Sequence, residues 1–326
     1  MEDEEDEVLP AKLDLGRQTE EETKLSRVQK LREDLEKILE DMNLGRVKQA
    51  QQAFFFLEQE MECQEEDPEV KALKAEMEEN PRVLMMREDF EIVEVCERQF
   101  ADTEGFKQVY EDKAKGMHMS ARVEESGVAS FIFGMDKLEV PLFNLCCLIY
   151  EVDLYKDWFP FCKNASKTGI ITTTKNTSHI EVIFPYPFAN REQNLNGFGV
   201  MNLLETDILL LCVRSADWDF QHKLFKPHFY GRENQKLRGS NTTMITYNYG
   251  FEIKPLSRDS FQVRACMHMN PQMGMIPQGL INYFSQQFIK FLFGKMLKIC
   301  KNFEKTPWEA RLKENFESDP FYKLAK

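Results

Sequence analysis

The sequence predicts an α+β protein in which a strongly curved antiparallel sheet wraps around one long C-terminal helix, with an N-terminal helical region before the sheet. Three observations predict this class. Apolar residues recur every three or four positions over the first hundred residues, every second position between about 106 and 270, and with a helical period again from 279 to about 303. Helices placed on one face of an antiparallel sheet define the α+β layer architecture.

Negative charge is concentrated at the amino end of the chain. Residues 1–80 contain 25 acidic and 11 basic side chains, whereas the remainder is nearly neutral. Residues 1–16 are therefore interpreted as a disordered acidic tail, and the acidic balance argues against a nucleic-acid partner. The opening acidic run is the opposite of a signal peptide, and no stretch approaches the roughly 18 apolar residues of a membrane span, so a cytoplasmic location is predicted.

The helical region is predicted to cover residues 17–104. One apolar stripe runs through 25–42, a turn follows at 43–45, and a second stripe runs through 47–61. This pattern is typical of an antiparallel helical hairpin, and Asp67-Pro68 begins a further helix with a capping residue and a proline. The stripes can pack on each other, on the following domain or on a partner protein. Two short helices fall below the three to four heptads of a coiled coil, which favours internal packing.

The predicted sheet begins at Phe106, where apolar side chains start to alternate with polar ones. Candidate strands cover 106–111, 117–123, 129–135, 163–174, 178–184, 193–204, 207–215, and two long runs at 243–253 and 261–269. A helix at 141–150 follows the third strand, and a short helical turn contains Trp158 and Phe159. A sheet that curls needs its concave face filled, and the final helix is the apolar element left to fill it.

The final helix is apolar over most of its circumference, with its strongest stripe at Ile281, Phe284, Phe288, Phe291 and Leu292. Burial of each such side chain contributes about 1.5–3 kcal/mol, so the helix is expected to dock on the sheet. Periodicity alone leaves open whether a cavity or a packed core lies beneath it. The preceding loop carries Met273, Met275 and Ile276 between Pro and Gly residues. Apolar side chains in a loop favour contact with a bilayer or a partner, or burial under the helix.

A basic segment overlaps the end of the sheet and the final helix. Residues 260–303 contain no acidic side chain, but they include Arg264, Lys290, Lys295, Lys298 and Lys301. Such a strip is suited to anionic lipid headgroups, and it is equally typical of a solvated helix face.

Four short segments resemble signatures of one known family. The turn at 184–192 (Phe-Pro-Tyr-Pro-Phe-Ala-Asn-Arg-Glu) resembles the Pro-Phe-Pro-x-Ser-Asn-Arg-Asp signature of START domains, the steroidogenic-acute-regulatory-protein-related lipid-transfer family. Residues 270–282 resemble the Asp-Pro-x-Gly-x-(Leu/Ile)-Pro-x-x-Leu-Val-Asn segment that leads into the closing helix of that family. Residues 155–160 resemble its Trp-containing stretch, and Val213-Arg214-Ser215 matches its recurrent Arg-Ser. The four segments occur in the family's order within about 105–305.

The resemblance implies a helix-grip fold, with a START-like lipid-binding domain at 105–305 and a C-terminal tail at 306–326. It implies that the domain binds a single hydrophobic lipid, and transfers it, in an internal tunnel closed by the C-terminal helix. The residues expected to line the tunnel are Ile180, Val182, Phe184, Gly197, Gly199, Ile245, Tyr247, Tyr249, Phe251, Val263, Met267, Ile281, Phe284, Phe288 and Leu292.

By the same resemblance, two loops control access to the tunnel. The first is the loop that bears the turn at 184–192, and the second is the loop before the final helix. Arg191 is expected to anchor the first loop. The sequence departs from the family at Glu192, where the family has Asp, and at Gly197, where many members place a second Arg that meets the polar end of the ligand. This second departure removes the basis for assigning a carboxylate or phosphate end, and with it a specific lipid. The expected gate and membrane-contact residues are Tyr186, Phe188, Met273, Met275 and Ile276.

No catalytic or metal site and no cofactor are predicted. The five histidines are isolated, without metal-ligand spacing, and the eight cysteines lack paired zinc-type spacing, so free buried thiols are expected. His179 and His268 lie on strand faces opposite to the apolar faces. If the apolar faces line the tunnel, neither histidine reaches a ligand there.

Two functions from different classes remain open at this point. The first is a lipid-binding protein whose partners are a lipid or another hydrophobic small molecule, an anionic membrane surface and a protein bound through residues 17–100. The alternative is a non-enzymatic scaffold, in which the START-like domain is structural and the acidic helical region binds a partner. The presence or absence of bound lipid discriminates between them.

Overall fold

A computed structural model of the chain describes residues 15–202, 207–236, 239–257, 259–273 and 278–326. Within these residues, four helices come first along the chain, followed by a large antiparallel sheet with a helix inserted after its third strand, and then by further helices. The predicted acidic tail lies almost entirely outside the described residues.

The amino-terminal helices form a unit that we call the arm. They are α1 (Leu15–Asn43), α2 (Val47–Glu62), α3 (Pro68–Glu79) and α4 (Pro81–Ala101). Asp67 and Asn80 cap α3 and α4, because their side-chain oxygens accept hydrogen bonds from backbone N–H groups two residues later, each at 2.9 Å. A proline in the first turn follows each cap. The apolar stripes of α1 and α2 are buried against each other and against α4.

The main sheet follows the arm. Its strands and the short strands beside it are β1 (Lys107–Asp112), β2 (Met117–Val123), β3 (Ala129–Leu138), β4 (Cys162–Thr172), β5 (Lys175–Val182), β6 (Arg191–Asn202), β7 (Ile208–Ser215), β8 (Trp218–Asp219), β9 (Leu224–Phe225), β10 (His228–Phe229), β11 (Arg232–Glu233), β12 (Thr242–Thr243), β13 (Ile245–Ser257) and β14 (Ser260–Asn270). The order along the main sheet is β1-β2-β3-β14-β13-β7-β6-β5-β4, and β12 pairs with β6. Neighbours in that order are antiparallel.

The concave face of the sheet holds the long helix. The helices of this side are α5 (Leu142–Tyr150), α6 (Gln278–Lys301), α7 (Pro307–Asn315) and α8 (Pro320–Ala325), with short 3-10 helices at Val152–Asp157 and Phe303–Lys305. Leu292, Phe293 and Met296 of α6 are buried in one core with Phe133 of β3 and Phe251 of β13. The predicted α+β class, with a curved antiparallel sheet wrapped around the final helix, is confirmed.

The arm packs on the convex face of the same sheet. Phe198 and Val200 of β6 share a buried cluster with the arm helices. At this interface the Nζ atom of Lys175 lies 2.6 and 2.8 Å from the two carboxylate oxygens of Asp89, and both side chains are buried. The arm and the sheet therefore form one continuous body, and the apolar stripes of the arm pack internally.

The C-terminal segment is part of the folded core. Residues 306–326 are predicted as a tail, but in the structure they form α7 and α8. The ring of Phe321 stacks on that of Tyr150 with centroids 3.7 Å apart, and the buried Tyr322 hydroxyl donates a hydrogen bond to the Glu151 carboxylate. The segment folds onto the core because its large aromatic side chains are buried where they cover α5.

Candidate functional site

A cavity of about 270 Å³ lies between the concave face of the sheet and α6. Side chains of α5, β3, β5, β6, β7, β13, β14 and α6 form its walls, and most of them are apolar, such as Phe133, Phe251 and Phe288. Among the lining residues that the structure describes, none carries a charge. A cavity of this kind favours ligands that leave water for an apolar surrounding.

Most of the residues predicted to line a tunnel lie around this cavity. They are Ile180, Val182, Phe184, Gly197, Gly199, Tyr249, Phe251, Met267, Phe288 and Leu292. Val263 and Ile281 are instead buried in the adjoining core. The side chain of Phe284 lies outside the described residues.

The expected positions of Ile245 and Tyr247 are corrected by the structure. The pairing of β13 with β14 shifts register within residues 246–248, so the alternation of side chains changes face there. Tyr249, after the shift, lines the cavity, whereas the ring of Tyr247 lies 5.0 Å from that of His268 on the other face. An uninterrupted alternation would place all of these residues on one face of the strand.

Several lining residues were missed by sequence reasoning. Asn176 and Ser178 lie on β5 and Gln193 lies on β6, and all three face the cavity. The sequence predicts a strand that begins at residue 178, so Asn176 falls outside the predicted range, whereas β5 begins at Lys175. Phe321 also lines the cavity, but it lies in residues 306–326, which the sequence predicts as a tail. The sequence does contain a signal for the polar lining residues, because they occupy the same alternating positions as the apolar residues of their strands.

Arg191 connects the two loops that were predicted to control access. Its Nε and Nη1 groups donate hydrogen bonds to the carbonyl oxygens of Pro271 and Ala189, and its guanidinium carbon lies 4.8 Å from the centre of the Phe184 ring. The first carbonyl belongs to the loop before α6 and the second to the loop between β5 and β6. Arg191 is therefore placed to hold one loop against the other.

The other predicted gate residues differ in exposure. Tyr186 lies in the middle of the loop between β5 and β6 and is 97% exposed, whereas Phe188 and Met273 are half-buried. Met275 and Ile276 lie outside the described residues. Among the described residues of this predicted set, Tyr186 is the most exposed.

A buried carboxylate fixes the base of the first loop. Glu181 accepts hydrogen bonds from Lys163 at 2.8 Å, Asn164 at 2.7 Å, Asn241 at 3.1 Å and Asn190 at 3.3 Å. Burial raises the pKa of Glu181, but these hydrogen bonds outweigh burial and lower it to about 2. The carboxylate is therefore ionised at neutral pH, and it ties the loop through Asn190 to strands β4 and β5.

The histidines on the sheet lie away from the cavity. The Nε2 atom of His179 is 3.4 Å from a Glu192 carboxylate oxygen, and the ring of His268 lies 3.2 Å from the side-chain amide nitrogen of Gln99. Burial lowers the pKa of His268. Within the described ranges, no cluster of His, Cys, Asp or Glu has the arrangement of a metal site.

The predicted basic strip is divided between two faces of the molecule. Arg264 forms a two-bond ion pair with Glu252, at 2.8 and 3.0 Å, on the face covered by the arm. Lys290, the first lysine of α6, lies twelve residues after the start of that helix, which is about 18 Å along its axis. The lysines are therefore distant from the loops held by Arg191. No described helix combines the length and the apolar character needed to cross a membrane.

Comparison with known proteins supports the fold through structure and not through sequence. No protein-family model and no curated protein sequence matches the chain. Human STARD10 is similar in structure, with a TM-score of 0.52 and 16% identity over 69% of this chain and 84% of its own. Human StAR-related lipid transfer protein 5 is similar with a TM-score of 0.53 and 13% identity over 67% of this chain and 97% of its own. The chain therefore has the START fold.

Proposed function

We propose that this protein binds one hydrophobic lipid in the cavity between the sheet and α6 and transfers it between membranes. The observation that carries the proposal is an apolar cavity beneath the long helix of a START fold, with no charged side chain among its described lining residues. Desolvation of the ligand drives binding, at about 25 cal/mol for each Å² of apolar area removed from water. One of the two similar structures is named a lipid transfer protein.

A carrier without catalysis fits the chemistry of the cavity. A hydrolase or cyclase needs an acid–base or nucleophile–base pair directed at the ligand, and the described lining residues include no His, Asp, Glu, Lys or Arg. Cys146 does line the cavity, but burial raises the pKa of its thiol to about 12, so the nucleophilic thiolate is not populated at neutral pH. We infer binding without a chemical step.

Lipid exchange requires the two loops beside Arg191 to separate. Arg191 holds the loops through two backbone carbonyl oxygens, and such contacts can break and re-form without loss of the sheet. Tyr186 is exposed in the middle of the loop between β5 and β6, where its ring can enter the interfacial region of a bilayer. We propose that this loop, and not the lysines of α6, makes the first contact with a membrane.

Bound lipid is the direct test of the proposal. The purified full chain is extracted with organic solvent and the extract is analysed by mass spectrometry. We expect about one lipid per chain in the wild type and much less in Gly199→Phe, whose new ring projects into the cavity. Gly294→Phe is the matched control, because the space around Gly294 of α6 is open and the same side chain is added outside the cavity.

Transfer is tested separately with fluorescent lipid in phosphatidylcholine donor vesicles. Tyr186→Asp is expected to slow transfer several-fold without a change in the melting temperature. Phe56→Asp is the control, because Phe56 is an exposed aromatic residue of the arm, far along the chain from the gate. A wild-type protein that carries no lipid and moves none between vesicles contradicts the proposed function and favours a scaffold.

A further inference from the structure

The cavity contains a small polar region on its β5 wall. Asn176 and Ser178 are two residues apart in β5, so their side chains project from the same face of the strand, and both line the cavity. We propose that this pair binds the polar end of the ligand, and that the ligand is an uncharged lipid whose polar end is a hydrogen-bonding group such as a hydroxyl, ester or amide. This inference rests on the proposed function and names the class of lipid.

The first argument is the availability of the two side chains. Neither Asn176 nor Ser178 has a side-chain hydrogen bond to any part of the chain that the structure describes. Polar groups removed from bulk water in proteins are normally hydrogen-bonded, so this pair has unused capacity. An asparagine amide and a serine hydroxyl can each donate and accept hydrogen bonds, so they can bind a ligand's carbonyl oxygen or its hydroxyl group equally well.

The second argument is the space beside Asn176. Its cross-strand neighbour in β6 is Gly197, whereas the neighbour of Ser178 is Leu195. A Cβ atom added at Gly197 would meet Val213 Cγ2 at 3.5 Å and the Cys212 carbonyl oxygen at 3.8 Å, which are ordinary contacts. The glycine therefore leaves open volume next to the asparagine amide, where the polar group of a ligand fits.

The third argument is the placement of charge. Lys175 precedes Asn176 in β5, but its side chain projects to the convex face and is bound to Asp89. The Arg191 guanidinium already donates hydrogen bonds to backbone carbonyl oxygens of the two loops. A carboxylate or phosphate beside Asn176 would be buried without a counter-charge, which is far more costly than burial of a neutral hydrogen-bonding group. The site therefore selects against charged ends.

The experiment uses the full chain and three ligands of equal chain length: dodecane, dodecan-1-ol and dodecanoate at pH 8. Each ligand displaces Nile red, a neutral fluorophore that reports an apolar site. For the wild type we expect dodecan-1-ol to displace Nile red at a concentration at least about tenfold lower than dodecanoate, because the buried carboxylate lacks a partner. Dodecane serves as the reference for purely apolar binding.

Two variants test the residues. Asn176→Leu, which keeps the branched arrangement of side-chain heavy atoms but is apolar, is expected to raise the half-displacement concentration of dodecan-1-ol relative to that of dodecane about fivefold to tenfold, as for loss of one hydrogen bond. Gly197→Leu fills the space beside residue 176 and is expected to weaken dodecan-1-ol more than dodecane. Leu195→Met is the control, because it changes only the apolar wall and is expected to alter both ligands by the same factor.

The outcomes separate this inference from the function on which it rests. If Nile red and all three ligands fail to bind, the proposed lipid binding is wrong. If Nile red binds but dodecanoate displaces it as well as dodecan-1-ol does, the selection against charge is wrong while the cavity remains a binding site. If Asn176→Leu leaves the ratio between dodecan-1-ol and dodecane unchanged, Asn176 does not bind the polar end, and the inference is overturned.

Discussion

The two faces of the sheet use space in opposite ways. On the convex face, a Cβ atom added at Gly250 would lie 3.0 Å from the Cys266 sulfur and 3.1 Å from both the Cys96 sulfur and a ring carbon of Phe100. On the concave face, the nearest atom to a Cβ atom at Gly197 is 3.5 Å away. The convex face is therefore filled by the arm, whereas the concave face keeps a cavity.

The two faces also treat charge differently. Lys175 and Asp89 are buried together on the convex face, and burial raises the pKa of Asp89 to about 6 while the Lys175 ammonium opposes that rise. The described lining of the concave cavity has no charged group at all. The two faces therefore differ in packing and in charge, so substitutions on them should have separable effects on stability and on the proposed ligand binding.

The largest effect is expected from breaking the buried ion pair. Asp89→Ala leaves the Lys175 ammonium buried without its partner, and loss of one member of such a pair costs about 3–5 kcal/mol in the free energy of unfolding. Urea denaturation followed by circular dichroism measures this loss. Ligand binding by the fraction that remains folded is expected to be unchanged, because the pair lies on the opposite face from the cavity.

The double variant Asp89→Leu/Lys175→Met is the control for the ion pair. Replacement of both charges by apolar side chains removes the unpaired group, so most of the lost stability is expected to return. A double variant as unstable as Asp89→Ala would mean that the site needs the salt bridge itself and not merely the absence of an unpaired charge.

The second prediction concerns acid stability and Glu181. Its pKa is about 2 in the folded protein against an ordinary value of 4.5. Because the folded-state pKa is depressed, the contribution to stability is present above about pH 4.5 and is lost as the pH falls towards 2. A shift of this size corresponds to about 3 kcal/mol. Urea denaturation at a series of pH values measures the slope.

Glu181→Gln identifies the group responsible for that slope. The variant has no carboxylate to protonate, so its stability is expected to change less than that of the wild type between pH 4.5 and 2, although it is less stable at pH 7. Glu124→Gln, at an exposed position after β2, is the control and should follow the wild-type curve. Equal slopes for wild type and Glu181→Gln would contradict the assignment.

The third prediction applies one substitution to both faces. Gly250→Val forces a branched side chain between two cysteine sulfurs and is expected to cost about 1–3 kcal/mol, as overpacking of a filled core does. Gly197→Val enters open space and is expected to change stability by less than about 1 kcal/mol while weakening ligand binding. Thermal denaturation and Nile red binding of the two variants give both quantities. Equal destabilisation at the two glycines would contradict the difference between the faces.

Much of the fold was predictable because it depends on local periodicity. The cap at Asp67, the turn at 43–45 and the apolar stripe of α6 are encoded by neighbouring residues, and the alternation of apolar side chains between about 106 and 270 predicted the antiparallel sheet. The C-terminal helices were not predicted, although Asp319-Pro320 is a capping residue followed by proline, as at the start of α3. Their docking depends on contact between Phe321 and Tyr150, which are far apart in sequence.

The site was less predictable because its geometry is not local. The register shift in β13 depends on how that strand pairs with β14, so no pattern within β13 revealed that Ile245 and Tyr247 leave the cavity face. The polar region at Asn176 and Ser178 appears only once Gly197 is placed opposite, through pairing of β5 with β6. The open volume beside that region is a property of the assembled sheet.

The last and smallest effect tests the register shift with two tyrosines from one strand. Tyr249 lines the cavity after the shift, and Tyr247 contacts His268 on the other face. Tyr249→Leu is expected to change the Nile red dissociation constant about twofold to fivefold, equivalent to less than about 1 kcal/mol, because it replaces part of the cavity wall with another apolar side chain. Tyr247→Leu is expected to leave binding unchanged, since its side chain lies across the sheet from the ligand. If Tyr247→Leu altered binding as much as Tyr249→Leu, the alternation would be uninterrupted and the division of β13 between the two faces would be wrong.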